Sequence, residues 1–414
     1  MFKKPLPLEL QERVDAMLAE ARKVNAARGN PPVENLDAVR LPDVDSDPIS
    51  PISTIDCRNY SGPPEGLPEL RELLARDLLG APTEWTLVGG HSSLALYSNV
   101  VSQAFFQGLP GRKPLQDMQR LGWLAPKVGV VEPIYDRHLR RLRWLGFVPV
   151  RVPMTPDGPQ MDIVEDLVRD PAFVAIVCVP QYSNFSGETY SDETVARLAR
   201  MYTAYTSFLI LWDLAYAVHH LVEDPPRLAN IFEFCREAGT EDRVVAFGST
   251  SKITHAGSGV ACMAMSPKNL KWYLADLATR EINPDKMRQL KHYRFLKEVG
   301  IERLMRRHAQ VLRPRARAVY DVVQKRLVPK GIGFCNEPRG GYFICVRMPG
   351  LAKRAVEIAS YLGYTFTAVD AAFVDGDPRD EYARVCYTEH SPANNTNNTE
   401  ALCLGAEIAD HERR

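Results

Sequence analysis

From about residue 85 the chain alternates short apolar runs with amphipathic helical stretches, and this rhythm constrains its fold more than any other feature. Candidate strands are Trp85–Val88, Val128–Glu132, Val148–Val152, Phe173–Val179, Phe208–Trp212, Arg243–Phe247 and Gly259–Met265. Helical segments such as Asp136–Leu145 and Asp192–Tyr202 lie between most of them. A strand that is apolar at nearly every position has no wet face, so these runs predict a mostly parallel α/β sheet with helices on both faces. They are too short to cross a membrane. In open parallel sheets ligands bind beyond the carboxyl ends of the strands, so function is best sought in the residues just after each run.

The flanks read differently. Leu10, Val14, Met17, Leu18, Ala21 and Val24 recur with helical spacing, predicting a helix over Leu8–Arg28 with Gly29 as its C-terminal cap. A Pro- and Asp-rich connector, Asn30–Pro51, comes next. Leu67-Pro68 then opens a second helix that Gly80 closes. Residues 108–127 form an irregular insertion to which the sequence assigns no role. Beyond residue 296 a helix over Arg307–Gln324, the GGYFICVRMP strand and a shorter helix–strand series suggest a smaller α+β domain. The expected division is 1–50 (helix and connector joining the small domain), 51–296 (large domain) and 297–414 (small domain).

Composition excludes several classes. Lys+Arg and Asp+Glu each number 51, which argues against a nucleic-acid or anionic-membrane partner. The eight cysteines include no CxxC unit, the nearest pair being Cys335 and Cys345, so neither a zinc site nor a disulfide framework is indicated. The first residues, MFKKPLPLELQERVD, lack a signal-peptide apolar core, and a cytoplasmic location is expected.

Two strand ends carry chemistry. Phe208–Trp212 runs into Asp213-Leu214-Ala215-Tyr216, where a carboxylate can ligate a metal, pair with a cation or cap the next helix. Arg243–Phe247 runs into Gly248-Ser249-Thr250-Ser251-Lys252, where a lysine can form a Schiff base, grip a phosphate or simply lie in solvent. Together, with Asp213 and Lys252 39 positions apart, they resemble the pyridoxal-phosphate site of fold-type I aminotransferases. That chemistry needs a lysine to hold the aldehyde as an imine and a carboxylate to keep the pyridine nitrogen protonated.

Other segments in the same order strengthen the resemblance. In VPQYSNFSG (179–187), Asn184 falls where the family hydrogen-bonds the cofactor's phenolic oxygen. Tyr135 in EPIY (132–135) matches the aromatic residue that stacks on the pyridine. Gly90, His91, Ser92 and Ser93 lie between a strand and an apolar helix, a place whose backbone amides suit a phosphate, with Ser249 and Ser251 alongside. Arg384 matches the arginine that clamps a substrate α-carboxylate, a task suited to a planar bidentate donor. Tyr60 resembles the tyrosine that reaches a neighbouring subunit's phosphate, which implies a homodimer with shared sites. Gly29 either contacts a substrate carboxylate through its backbone or only caps its helix. Closer still, RGNP (28–31), RNY (58–60), YDRH (135–138), DLAYAVHH (213–220), GSTSKIT (248–254) and NPDK (283–286) look like the MocR-like, or subgroup Ic, aspartate aminotransferase branch.

Two positions depart from the family pattern. Phe185 stands where a proline usually comes after the asparagine, and a non-proline cis peptide costs about 3–4 kcal/mol, so a trans bond, or a cis bond offset elsewhere, is expected. Position 259 is glycine where an arginine usually pairs with the phosphate, leaving Ser249, Ser251, the Gly90–Ser93 amides and His255 for that task.

The resemblance implies ping-pong transamination between an L-amino acid, aspartate or glutamate first, and a 2-oxo acid such as 2-oxoglutarate. Lys252 would move the proton, Asp213 would support the pyridinium, and Asn184 and Tyr216 the phenolate. For a distal carboxylate Arg137 is the first candidate and Arg288 the second, although Arg137 also reads as part of an exposed basic face with Arg140 and Arg141. The same site suits an aromatic or kynurenine aminotransferase or a β-lyase. A MocR-like regulator is disfavoured by the absence of a helix-turn-helix pattern. His219 and His220 read as structural, and no metal is expected.

Overall fold

The computed structural model describes residues 2–120, 125–367 and 369–414. Its centre is an eight-stranded sheet: β1 (Thr86–Val88), β2 (Lys127–Glu132), β3 (Val148–Thr155), β4 (Gly158–Pro159), β5 (Phe173–Cys178), β6 (Leu209–Asp213), β7 (Val244–Ser249) and β8 (Ala261–Met265). The spatial order is β1-β8-β7-β6-β5-β2-β3-β4. The inner pairings β3–β2–β5–β6–β7 are parallel, and the edge pairings β1–β8, β7–β8 and β3–β4 are antiparallel. Each expected strand is present to within two residues or so.

Strand geometry explains the continuous apolar runs. Successive side chains point to opposite faces, so Ile210 and Trp212 enter one core with Val244 and Ala246, while Leu209 and Leu211 enter the other with Val245 and Phe247. The insertion contributes Leu109, Leu115 and Met118 to the second of these cores. Residues 121–124 of that segment lie outside the described ones.

A third core gathers the chain's two ends. It joins Val14 and Ala26 to residues of the long helix Ile301–Arg326, of strands β9 (Phe343–Arg347) and β10 (Tyr382–Cys386), and of the terminal helix Pro392–Arg413. Glu407, 5% exposed, anchors the assembly by pairing with Arg13 at 2.7 Å and with Arg326 and Lys330 at 2.9 Å. The N-terminal helix is shorter than its periodicity predicts: it spans Leu8–Ala19. Val24 and Asn25 pair instead, in parallel, with Tyr364 and Thr365, and Val24 and Ala26 donate their amides to Gly363 and Thr365 at 2.9 Å. Tertiary pairing thus takes the donors that a longer helix would need, and Gly29 is not its cap. The long helix extends past the expected Arg307–Gln324 at both ends, starting after Gly300, whose φ is +77°.

All eight cysteines are free; Cys345 is partly exposed and the others are buried. Among the described residues no helix is long and apolar enough to cross a membrane, and no cluster of three or more His, Cys, Asp or Glu could hold a metal.

Three histidines are held neutral by burial: His219 is pushed down to about 3, and His292 and His308 to about 4. Neither ring nitrogen of His308 has a hydrogen-bond partner. Below about pH 6.5 the unfolded chain binds protons that these sites refuse, so stability falls with pH until the folded values are reached. Urea midpoints should decrease between pH 6.5 and about pH 4, and His308→Met should make that decrease shallower; an unchanged slope in this variant contradicts the assignment.

Candidate active site

Strands β6 and β7 lie side by side in parallel with Asp213 opposite Phe247, so Asp213 and the Ser249–Lys252 turn leave the sheet at one edge. Asp213 is held twice. Its Oδ2 meets His138 Nε2 at 3.0 Å, and its Oδ1 accepts the Ala215 amide at 3.1 Å. His138 lies in the first turn of the helix Asp136–Leu145 and is 1% exposed. It stands edge-on to Tyr97 and Tyr135, with ring centres 4.5 and 5.7 Å away. The YDRH motif contains His138, but the sequence pattern gives it no task. The signal that could have found it is its position three residues after Tyr135, on the face of the helix that turns inward.

Lys252 occupies the turn after β7, with its Nζ 4.9 Å from the centre of the Tyr216 ring. Part of its surface opens on the cleft, yet protein surrounds the side chain. Burial lowers its pKa below the usual lysine value, with the charge of Asp213 acting the other way. The amine is thereby biased towards its neutral form, which is the one able to act as nucleophile or base.

On one side of Lys252 lies a cradle for an anion. Two backbone bonds tie the Gly89–Gly90 loop to the start of β8 (Gly89 N to Ala261 O, 3.0 Å; Ala261 N to Gly90 O, 3.2 Å). Gly90 has φ +68°, and a Cβ there would meet nothing within 4 Å, so the loop faces open space. The helix Ser93–Gln107 starts immediately beyond, and the side chain of its cap, Ser92, makes no capping bond. Its free first-turn amides and positive dipole end suit a phosphate. Ser251 joins this loop to the lysine turn by donating its hydroxyl to His91 O at 3.1 Å, while its amide donates to Ser249 Oγ at 3.4 Å. A Cβ at Gly259 would fall 2.9 Å from Ser251 backbone and side-chain atoms, so this position admits no side chain without displacing the cradle. His255 is half-buried.

On the other side stands Arg384, on β10 opposite Cys345 of β9. Its guanidinium donates to Asn184 Oδ1 at 3.1 Å, Ala27 O at 3.1 Å and Thr367 Oγ1 at 2.7 Å. It also stacks 4.4 Å from the centre of the Phe343 ring, and its Nε is buried without a partner. Burial lowers its pKa from the usual arginine value. Gly29 backs this wall: a Cβ there would fall 2.5 Å from Phe343 Cζ, so its smallness serves packing against β9 rather than a helix end. Tyr216, 3% exposed, touches the rings of Tyr342 and Phe343 at 5.7 and 6.2 Å. Of the two geometries open to the Asn184–Phe185 peptide, the chain adopts cis. Phe185 is buried, edge-on to Tyr382 at 6.3 Å, so packing in the third core holds the segment.

Other expected residues stand farther out. Tyr60 is 73% exposed. Arg137 is exposed on its helix, one residue from the buried His138, and among the described residues no ion pair is found for it. Its charge acts on the neighbouring Tyr135, whose pKa burial raises. Arg288 faces Asp285 at 3.4 Å and lines, with Gly90 and Val260, a cavity of about 280 Å³ beside the cradle. A larger cavity, about 1040 Å³, lies away from Lys252, between residues 218–225 and the start of the long helix.

A buried amine, a carboxylate fixed to accept a proton-bearing ring nitrogen, an open glycine turn at a helix start and a guanidinium facing the same space fit pyridoxal phosphate and an amino acid. Comparisons with known proteins agree. The family model described as "Aspartate amino-transferase" matches residues 5–414. The chain is 37% identical over 390 residues to a Mycolicibacterium smegmatis protein provisionally named as an aminotransferase, covering 92% of this chain and 90% of that one. It is 34% identical to an aspartate aminotransferase of Corynebacterium glutamicum, over 91% of this chain and 87% of the relative. A crystal structure of an aspartate transaminase from the same organism superposes with a TM-score of 0.90 at 33% identity, covering 98% of this chain and 96% of that one. The chain therefore belongs to the aspartate aminotransferase family: it is an aminotransferase of fold type I, and its cofactor is pyridoxal 5′-phosphate.

Proposed function

We propose that this aminotransferase moves the amino group of an acidic L-amino acid, aspartate or glutamate, to a 2-oxo acid such as 2-oxoglutarate in a ping-pong cycle. The observation that carries this reading is the convergence of Lys252, Asp213 and Arg384 on one cleft, the amine buried, the carboxylate fixed by His138 and the guanidinium held by neutral oxygens. When bound, pyridoxal phosphate supplies an aldehyde to carry the amino group and a ring to accept electrons.

Lys252 is the residue that would hold the cofactor, through Nζ, which sits over the Tyr216 ring. Burial biases the Lys252 amine to its neutral form, so with cofactor and amino acid bound it would be the group that takes up and returns the substrate's Cα proton. Asp213, fixed by His138 and the Ala215 amide, keeps the ring nitrogen protonated. Asn184 and Tyr216 would support the cofactor's phenolic oxygen, and Tyr135 would lie against its ring. Gly90, His91, Ser92, Ser93, Ser249 and Ser251 hold the phosphate. Arg384 orients the α-carboxylate, and its unpartnered Nε and neutral hydrogen-bond partners leave it free to gain a charged one. Gly29 lines the substrate side of the cleft.

Arg137 takes the distal carboxylate. Support for an acidic donor comes from the Corynebacterium glutamicum relative named aspartate aminotransferase, and from a Thermus thermophilus relative named 2-aminoadipate transaminase, 26% identical over 76% of this chain. The motif set, including glycine at 259, supports membership of the MocR-like, subgroup Ic branch. Tyr60, projecting into solvent in the single chain, supports a homodimer in which it completes the neighbour's phosphate site. The core that gathers Val14, Ala26 and the residues beyond 309 supports a division into segments 1–50, 51–296 and 297–414, although Val39, Val44, Ile301, Leu304 and Met305 pack with the large domain's core. A cytoplasmic location accords with eight free thiols.

Lys252→Ala should remove the visible absorption band of the lysine-bound cofactor and lower turnover on the order of 10³-fold or more, as measured by half-reaction spectroscopy. Retained turnover contradicts the assigned role. Arg137→Ala should lower kcat/KM for aspartate roughly 10- to 100-fold while sparing alanine, the loss expected for one charged hydrogen-bonded contact. Unchanged turnover with both donors instead assigns Arg137 to the exposed basic face, and an equal loss with both rules out a task specific to the distal carboxylate.

A further inference from the structure

Lys252 lies on a turn, outside any helix or strand, so no regular ladder fixes its main chain. Its carbonyl accepts instead from two buried side chains, His219 Nε2 and the Tyr342 hydroxyl, both at 3.3 Å. A carbonyl only accepts, so Nε2 must carry the ring proton. Burial pushes His219 down to about 3, which keeps the ring neutral and leaves its buried Nδ1 without a partner. The two donors meet edge-on at 5.3 Å, and each lies 5.7 Å from the ring of Tyr216, over which the Lys252 amine sits. The same pair therefore holds the lysine's main chain and walls the space of its amine.

The donors come from distant parts of the chain. His219 lies just after β6 and Asp213; Tyr342 precedes β9 in the third core. Their segments are joined by Gly341 N donating to His219 O and Leu221 N donating to Arg339 O, both at 2.9 Å, around a bridge between His220 and Gly340. A Cβ at Gly340 would collide with the Tyr182 ring, so the approach is close. We propose that His219 and Tyr342 are positioning residues that aim Lys252 by gripping its backbone carbonyl, making proton transfer depend on the docking of residues 339–342. This rests on the proton-carrying role proposed for Lys252. The amine ends a long flexible stem, so a small slip of the turn becomes a large error at Nζ. Arg384 and Asn184, which take the substrate, lie outside the grip.

Tyr342→Phe removes one O–H and keeps the ring. His219→Leu removes the other donor, and His219→Gln keeps one. With the full chain loaded with cofactor, Tyr342→Phe and His219→Leu should lower the rate at saturating donor on the order of ten-fold, since misplacements near 1 Å cost up to about 100-fold. KM for the donor should be unchanged, and the isotope effect with a Cα-deuterated donor should rise because proton transfer has become slower. His219→Gln should recover most of the rate. Thermal midpoints identify folded variants, and the near-isosteric Tyr342→Phe carries the test if His219→Leu does not fold. A folded variant with wild-type rate and isotope effect overturns the proposal, as does a joint change in kcat and KM with no change in isotope effect. Lys252→Ala separates the two levels. If it retains turnover, the role of Lys252 fails. If it is inactive while Tyr342→Phe behaves as wild type, only the grip fails.

Discussion

The parallel hydrogen bonding of Leu209–Asp213 to Val244–Ser249 is the constraint on which the rest of the site depends. Asp213 stands opposite Phe247, so a carboxylate and a lysine turn emerge at the same height from neighbouring strands. Parallel pairing puts both carboxyl ends at one edge, whereas an antiparallel neighbour would have sent the lysine to the far side of the sheet. Both strands are buried on both faces, so a one-residue slip would move every side chain into the wrong core. The packing that makes the fold stable also fixes the distance between base and acid.

A second layer of the design concerns charge. Asp213 and Arg384 are both largely removed from water yet given partners that leave their functions available. Asp213 has a histidine and an amide, while Arg384 has a carbonyl, an amide oxygen and a hydroxyl but no carboxylate. A guanidinium already paired with a protein carboxylate would gain little from a substrate. Holding it with neutral oxygens and an aromatic face preserves its affinity for an incoming anion. Glu407 shows the contrary arrangement at a structural position, where one buried carboxylate is saturated by three cations.

Much of this is legible in the sequence because burial on two faces writes itself as uninterrupted apolar runs, with functional residues at their ends. Asp213, Tyr216 and Lys252 are read from strand ends, and Asn184 and Arg384 from motifs in the same order. The unread parts depend on partners remote in the chain. Val24 has helical spacing, yet its amide is claimed by Gly363. Gly29 resembles a helix cap, yet what makes it small is Phe343. His138 sits in a helix whose basic run suggests only a wet surface, and its contact with Asp213 spans 75 positions. Residues 108–127 read as irregular because, among the described residues, the apolar side chains that anchor them, Leu109, Leu115 and Met118, follow the surface of a core rather than a helical or strand period.

The free cysteines acquire a use once the cores are known. Cys57, Cys178, Cys235 and Cys262 pack around the sheet, whereas Cys335, Cys345, Cys386 and Cys403 belong to the core that holds the chain's ends. Burial raises every one of these thiols, Cys235 to about 11 and Cys178 and Cys335 to about 12. A thiol reacts as its thiolate, so the seven buried cysteines resist alkylation in the native chain and each modification among them records an opening, Cys345 being partly exposed already. Four such thiols around the sheet and three in the core of the chain's ends make the molecule its own two-channel recorder, able to reveal which half loosens first.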